Sequence, residues 1–426
     1  MKTVNLPKYR EVVDLYKGAI KKMPDNPSSM ELAEVQFFKT VISYLEETLR
    51  VVEEGDKPLV WIGSCIMPEI FMAMDLHQHS VTVLMALLAG RQPESLKEYC
   101  RIGESAGLAP EMCAADKGVL GMLLSGDAMP LPDLFVPTTL PCDNLIIGYQ
   151  IFQNILKVPS FVLEAPNGDE EEDFAFYTGQ LKLMVSWLEE KTGRKMDYDK
   201  LGELLEEANR AIEYWTEICD LRRAIPCPQS SRLLNEVRFA HQIALGKPEA
   251  TAIFKHVRDD ALEKVKAGKG VVEDEKVRLT WFMIPLIADM GVYNWIEQEL
   301  HAAIPMDMFS YNCLEPIDTS TPDTMLRGLA KQCLHAPMAR QLRASTDLYT
   351  DDLVRVCEDY NIDGVIFAGH EGCKMAWGSV GLIRDVCRDM DRPLLVFDVD
   401  AILASPSQLT EVRNKIKEFV TTVVAG

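Results

Sequence analysis

Gly364-Val365-Ile366-Phe367-Ala368-Gly369-His370-Glu371-Gly372-Cys373-Lys374 is the stretch on which the fold class turns. Its first five residues carry no polar side chain, the pattern of a strand buried on both faces, and a cysteine follows just beyond the strand. Asp352 to Tyr360 in front reads as a helix, and Val380 to Met390 behind it as another. Leu394-Leu395-Val396-Phe397-Asp398 is the next strand, Leu409 to Val423 a closing helix, and Val277 to Ile284 a strand-like run that opens the section. Strands and helices alternating at this spacing define a parallel α/β sheet.

The N-terminal half repeats the pattern. Leu59-Val60-Trp61-Ile62-Gly63 is strand-like, and Glu69 to Leu76 reads as a helix after Pro68. Leu134-Phe135-Val136-Pro137 and Ser160-Phe161-Val162-Leu163 are further short strands bounded by Pro and Asp. The first 55 residues read as helical, with a helix start at Ser28-Ser29-Met30-Glu31-Leu32 and a break at Gly55-Asp56-Lys57-Pro58. The acidic run Asp169 to Asp173, read as a solvated face, opens a long helical section. That section restarts near Tyr198, continues past Trp215 to Arg223, and is interrupted at Pro226-Cys227-Pro228. The expected fold is α/β, with two Rossmann- or flavodoxin-like parallel-sheet domains. Residues 1–56 form a helical N-terminal segment, 57–168 a first α/β domain, 169–275 a helical connecting region, and 276–426 a second α/β domain.

Composition narrows the function. At 47% hydrophobic and 26% charged, the 426 residues have the balance of a globular enzyme. A net charge of −21 repels phosphate backbones and anionic lipid, so no nucleic-acid or membrane partner is expected. No apolar run reaches the roughly 18–20 residues of a membrane span, and Met1-Lys2-Thr3-Val4-Asn5 lacks a signal-peptide core, so a cytoplasmic location is expected. The eleven scattered cysteines do not suit a disulfide framework.

Common motifs are missing. There is no G-x-G-x-x-G and no Walker loop, so this chain is expected to bind no nucleotide itself; H-E-x-x-H and C-x-x-C are also absent. Gly103-Glu104-Ser105-Ala106-Gly107 matches a nucleophile elbow in letters only, because a helical pattern stands where the strand should be. His77 and His79, at i, i+2, lie on opposite sides of a helix or on one face of a strand, and a metal role is disfavoured because ligands on a helix usually sit at i, i+3 or i+4.

Three cysteines have a context the others lack. Cys142 and Cys373 each come just after a strand, where open α/β sheets collect their ligands, and Cys113 lies between a Pro turn and a helix start. A helix N-terminus stabilises a thiolate, and thiolates ligate iron–sulfur clusters. Buried filler remains the alternative from the residues alone. Cys65 could line the same site, whereas Cys100, Cys219, Cys227, Cys313, Cys333, Cys357 and Cys387 read as filler.

Taken together, these segments resemble the 2-hydroxyacyl-CoA dehydratase / benzoyl-CoA reductase family, in its large iron–sulfur subunits. The markers are Pro68-Glu69, Ser105-Ala106-Gly107 before Cys113, Pro132-Asp133 before Pro141-Cys142-Asp143, Arg278 with Trp281, Asp363-Gly364, and Cys373-Lys374. The resemblance runs from about Lys57 to Phe419. It implies a [4Fe–4S] cluster on Cys113, Cys142 and Cys373, with Ser64, His370 and Glu371 beside it as residues serving the chemistry; for His370 and Glu371 the equal alternative is a loop facing water. It also implies a homologous sister subunit or a second copy of the chain, an ATP-dependent iron–sulfur activator that supplies electrons, an acyl-CoA substrate, and one-electron chemistry through a ketyl radical.

Two departures qualify this. His77-Gln78-His79-Ser80-Val81-Thr82 contains neither the Gly nor the Pro usual in the family's turn, and Asp400-Ala401-Ile402-Leu403-Ala404-Ser405 replaces an Asp-Pro-Arg. A homodimeric branch holding an [8Fe–9S] double-cubane cluster is the second reading, and a cluster-free α/β binding protein the third.

Overall fold

The computed structural model describes residues 6–127, 129–311, 313–343 and 345–424. Residues 1–5, on which the missing signal-peptide core was read, lie outside them. Among the described residues there are seven strands, all parallel, in two sheets. The first sheet contains β1 (Leu59–Ile62), β2 (His77–Ser80) and β3 (Leu134–Val136), in the order β2-β1-β3. The second contains β4 (Val277–Trp281), β5 (Ala302–Asp307), β6 (Gly364–His370) and β7 (Leu394–Val399), in the order β5-β4-β6-β7. Each sheet therefore begins with a central strand flanked by the next two. This is the order that opens a crevice at the strands' carboxyl ends.

The helical segments fall where the sequence places them. Helix Ser29–Glu54 starts at a capping box between Ser28 and Glu31 and stops at Gly55, whose φ of 64° suits glycine. Helices Glu171–Thr192 and Tyr198–Leu221 form the long connecting section, followed by Ser231–Val237, Phe239–Ala244 and Pro248–Lys266. No helix of the described residues is long and apolar enough to cross a membrane.

Two strands escaped the sequence reading, and both lie at sheet edges. β2 is spelled His-Gln-His-Ser, yet it is mostly buried because helix Ser29–Glu54 meets its polar groups: Thr48 Oγ1 lies 2.8 Å from His77 Nε2, and Tyr44 Oη 3.3 Å from His79 Nδ1. Burial pushes these imidazoles down to about 4 and about 3, so both are neutral packing groups. β5 contains Pro305, which an edge strand tolerates, and the β4–β5 register shifts nearby, between Arg278 and Thr280.

One expected strand forms only in part. Ser160 to Leu163 runs parallel to β3 through isolated pairings, Phe135 with Ser160 and Thr138 with Leu163. Pro137 and Pro159 have no N–H to extend the ladder. The strand expected over Val277 to Ile284 stops at Trp281, and the loop that follows turns toward the site.

Candidate functional site

The loops after all seven strands meet around one cavity of about 370 Å³. Ser64 and Cys65 follow β1, Thr82 follows β2, and Cys142 follows β3. From the other sheet come Met283 after β4, Phe309 after β5, Cys373 after β6 and Ile402 after β7. Cys113 joins them from the loop before helix Ala114–Ser125.

Cys113, Cys142 and Cys373 each occupy the N-cap of a helix: Ala114–Ser125, Asp143–Leu156 and Lys374–Asp389. No thiol closes a full capping hydrogen bond. First-turn amides nevertheless favour the thiolates: Ala115 at Cys113, Asn144 and Leu145 at Cys142, Met375 and Ala376 at Cys373. Burial outweighs them and raises all three thiols, Cys142 to about 12. Ligation of a metal at these sulfurs is thus coupled to release of their protons.

Gly372 lets two of these loops touch. Its φ is 81°, and a Cβ there would lie 2.8 Å from Glu111 O and 2.9 Å from Cys113 N. Only glycine accepts both the left-handed backbone and this approach.

His370 joins the same pair of loops. Its Nε2 lies 3.2 Å from Cys113 Sγ, and its Nδ1 accepts the Ala401 N–H at 3.1 Å. That second bond assigns the ring proton to Nε2, which donates to the sulfur. Burial lowers the His370 pKa although the Asp400 carboxylate, 3.7 Å away, opposes the shift.

Ser64 lines the cavity, with Oγ 3.0 Å from Thr82 Oγ1 and its N–H donating to Tyr149 Oη at 3.0 Å. Glu371 stands apart from these residues. It is exposed, does not line the cavity, and accepts from Gln408 Nε2 at 3.1 Å. Cys65 does line it, at a φ of 61°. Ser105, in the rejected elbow, is the exposed last residue of helix Pro93–Ser105.

The sequence reading missed Asp116. It lines the cavity, is 1% exposed, and accepts from the Asn144 amide. Burial pushes its carboxyl up to about 8, so it carries a proton at neutral pH. An acid three residues into a helix reads as a capping residue in sequence, and only the packing of helix Asp143–Leu156 against it shows otherwise. Thr82 and Phe309 were missed with the edge strands that deliver them.

The donor set suits an iron–sulfur cluster. Sulfur is the donor such clusters take, and an N–H donated to one ligand is the kind of contact that tunes them. Among the described residues no three His, Cys, Asp or Glu groups are gathered closely enough for a single metal ion. Thiolates that hold a four-iron cubane stand farther apart than the ligands of one ion.

Two parallel-sheet domains whose carboxyl edges share a cysteine-lined cavity define the class to which this molecule belongs. The family model for the 2-hydroxyglutaryl-CoA dehydratase D-component matches residues 35–422, and the chain belongs to that family. It is similar to the (R)-phenyllactyl-CoA dehydratase alpha subunit of Clostridium sporogenes, at 21% identity over 85% of this chain and 88% of the relative. The (R)-2-hydroxyisocaproyl-CoA dehydratase alpha subunit of Clostridioides difficile is 25% identical over 55% of this chain and 59% of its own. The (R)-2-hydroxyglutaryl-CoA dehydratase subunit alpha of Acidaminococcus fermentans is 23% identical over 64% of this chain and 56% of its own. The family match begins 22 residues before Lys57, within the N-terminal helical segment.

Proposed function

We propose that this chain is the iron–sulfur subunit of an ATP-activated reductive enzyme, a 2-hydroxyacyl-CoA dehydratase or an aryl-CoA reductase, with its cluster on Cys113, Cys142 and Cys373. The observation that carries the reading is the meeting of three N-cap cysteines, delivered by both domains, in one largely apolar cavity. A cluster bound there supplies single electrons at low potential, which the inert bonds of such acyl thioesters require.

The protein's own groups serve that chemistry in definite ways. His370 donates its Nε2–H to Cys113 Sγ and so drains charge from that sulfur. Met283, Ile284, Phe309 and Met338 line a wall that keeps water from a reactive radical. Asp116 holds a proton on its carboxyl at neutral pH, and Ser64 places a hydroxyl in the same wall.

The relatives are alpha subunits, which supports a partner subunit for this chain as well. An ATP-dependent iron–sulfur activator fits a chain without a nucleotide loop, and the absence of disulfides among the described cysteines suits a reducing cytoplasm.

Anaerobic purification with iron and acid-labile sulfide analysis tests the reading. The expected result is about four irons per chain, lost in each of Cys113→Ala, Cys142→Ala and Cys373→Ala. Sulfide in excess of iron, with one cluster shared by two copies, would instead establish the double-cubane branch. Iron-free protein whose variants behave like the parent would sink the proposal and leave an α/β binding protein.

A further inference from the structure

The second sheet has two edges, and the molecule finishes only one of them. At β5 all six residues are buried, Pro305 interrupts the row of donors, and the register with β4 shifts. At β7 Leu394, Leu395 and Val396 are half-buried and Asp398 is exposed, and the strand contains no Pro, no Lys and no bulge. Among the described residues β6 is the one strand that pairs with β7. A bare, flat, apolar edge is a template for another strand.

The ladder to β6 fixes which backbone groups point outward. Val365 N–H donates to Pro393 O at 2.9 Å and Glu371 N–H to Val399 O at 3.1 Å, one bond at each end of β7. Such bonds fall on every second residue of a parallel strand, so the odd-numbered residues of β7 face β6. The N–H and C=O groups of Leu394, Val396 and Asp398 therefore point away from the sheet.

Helix Lys374–Asp389 connects β6 to β7 and covers them on one face. On it Leu382 is 50% exposed, and a Cβ at Gly378 or Gly381 would meet nothing within 4 Å. Glycine inside a helix is costly, and no packing within this chain uses the two missing side chains.

Charge selects the occupant. A second copy related by a two-fold axis presents the same edge running antiparallel. With the axis at Leu395, Leu394 comes opposite Val396, Pro393 opposite Phe397, and Arg392 opposite Asp398 on each side of the axis. Arg392 and Asp398 are both exposed, and neither forms an ion pair among the described residues. Moving the axis by one residue would set Asp398 against Leu394, or Arg392 against Val396. The Leu395 register alone places apolar against apolar and opposite charges together, the cross-strand pairs that stabilise a sheet.

We propose that β7 is the seam of a symmetric dimer of this chain, in which two copies join their four-stranded sheets edge to edge about a two-fold axis at Leu395. The assignment goes beyond the proposed function and holds whatever the cysteines carry.

Sedimentation velocity of the full chain over a concentration series, without oxygen, tests it. The parent is expected to sediment as a dimer. Arg392→Asp and Asp398→Arg each set like charges across the seam, and each should raise the dimer dissociation constant by about tenfold or more. Mixed in equal amounts, the two variants restore both opposite-charge pairs and should dimerise as tightly as the parent. That recovery also shows that both variants are folded. A parent that stays monomeric, or gains mass only with a non-identical subunit, would overturn the assignment. So would a dimer that both charge variants leave intact, or a mixture that remains as dissociated as its components.

Discussion

The amino and carboxyl ends of the two sheets are built on opposite terms. At the amino ends the polar groups are paired off. Asp133 Oδ2 accepts the Leu59 N–H at 2.9 Å while the Asp133 N–H returns a bond to Leu59 O at 2.8 Å. Asp363 and Arg278 repeat the exchange in the second sheet, at 2.8 and 2.7 Å. The Arg278 side chain, 4% exposed, then bonds the carbonyls of Tyr360, Ala224 and Arg222 and pairs with Glu275. Beyond the carboxyl ends the molecule keeps costly groups: three raised thiols, a protonated Asp116, an Arg238 whose Nε and Nη2 have no hydrogen-bond partner, and Glu69 with neither oxygen bonded. One end holds the domains together, and the other holds chemical groups in readiness.

This contrast can be broken by substitution. The largest effect is expected from Arg278→Ala, which strips four partners and leaves the buried Glu275 carboxylate with only the Cys227 N–H. It should cost about 3–5 kcal/mol in denaturant unfolding. A loss under 1 kcal/mol would mean that the amino ends are not the structural ones.

Glu69→Gln should act in the opposite direction. Burial raises the Glu69 carboxyl to about 7, above its unfolded value, so the native state binds the extra proton. The stability this provides is complete below the unfolded pKa and is lost as pH rises through about 7. The Gln variant should therefore be more stable than the parent at pH 8, by an amount on the order of 2–3 kcal/mol, and nearly equal to it at pH 4. Equal stability at both pH values would show that Glu69 has a partner in solution.

Gly372→Ala sharpens the comparison at the site itself. The strained backbone and the contact with Glu111 O should cost about 1–3 kcal/mol. Iron content should fall with it under the proposed function, because the Cys113 and Cys373 loops are forced apart. Full stability with unchanged iron would mean that the loops do not need their contact.

The resemblance markers separate along the same line. Asp133, Arg278 and Asp363 prove to be clamps at strand entrances, whereas Cys142 and Cys373 lie at strand exits. Sequence order could not distinguish the two kinds, since each sits within a few residues of a strand. Glu371 next to His370 makes the same point. Adjacent residues leaving a strand face opposite ways, and one reaches Cys113 while the other reaches Gln408.

The sequence by itself determined the parallel α/β class, the helical connector and the setting of three cysteines, two just after strands and one before a helix. Those features are written in local patterns, apolar runs and turn residues, which short-range sterics and burial enforce. Only the tertiary structure decided that β2 and β5 exist as polar or Pro-bearing edges, that Asp116 is dry and protonated, and that His370 lines the cavity while Glu371 faces away from it. Each of these depends on which distant side chains exclude water or supply a partner, a property of packing that no window of neighbouring residues contains.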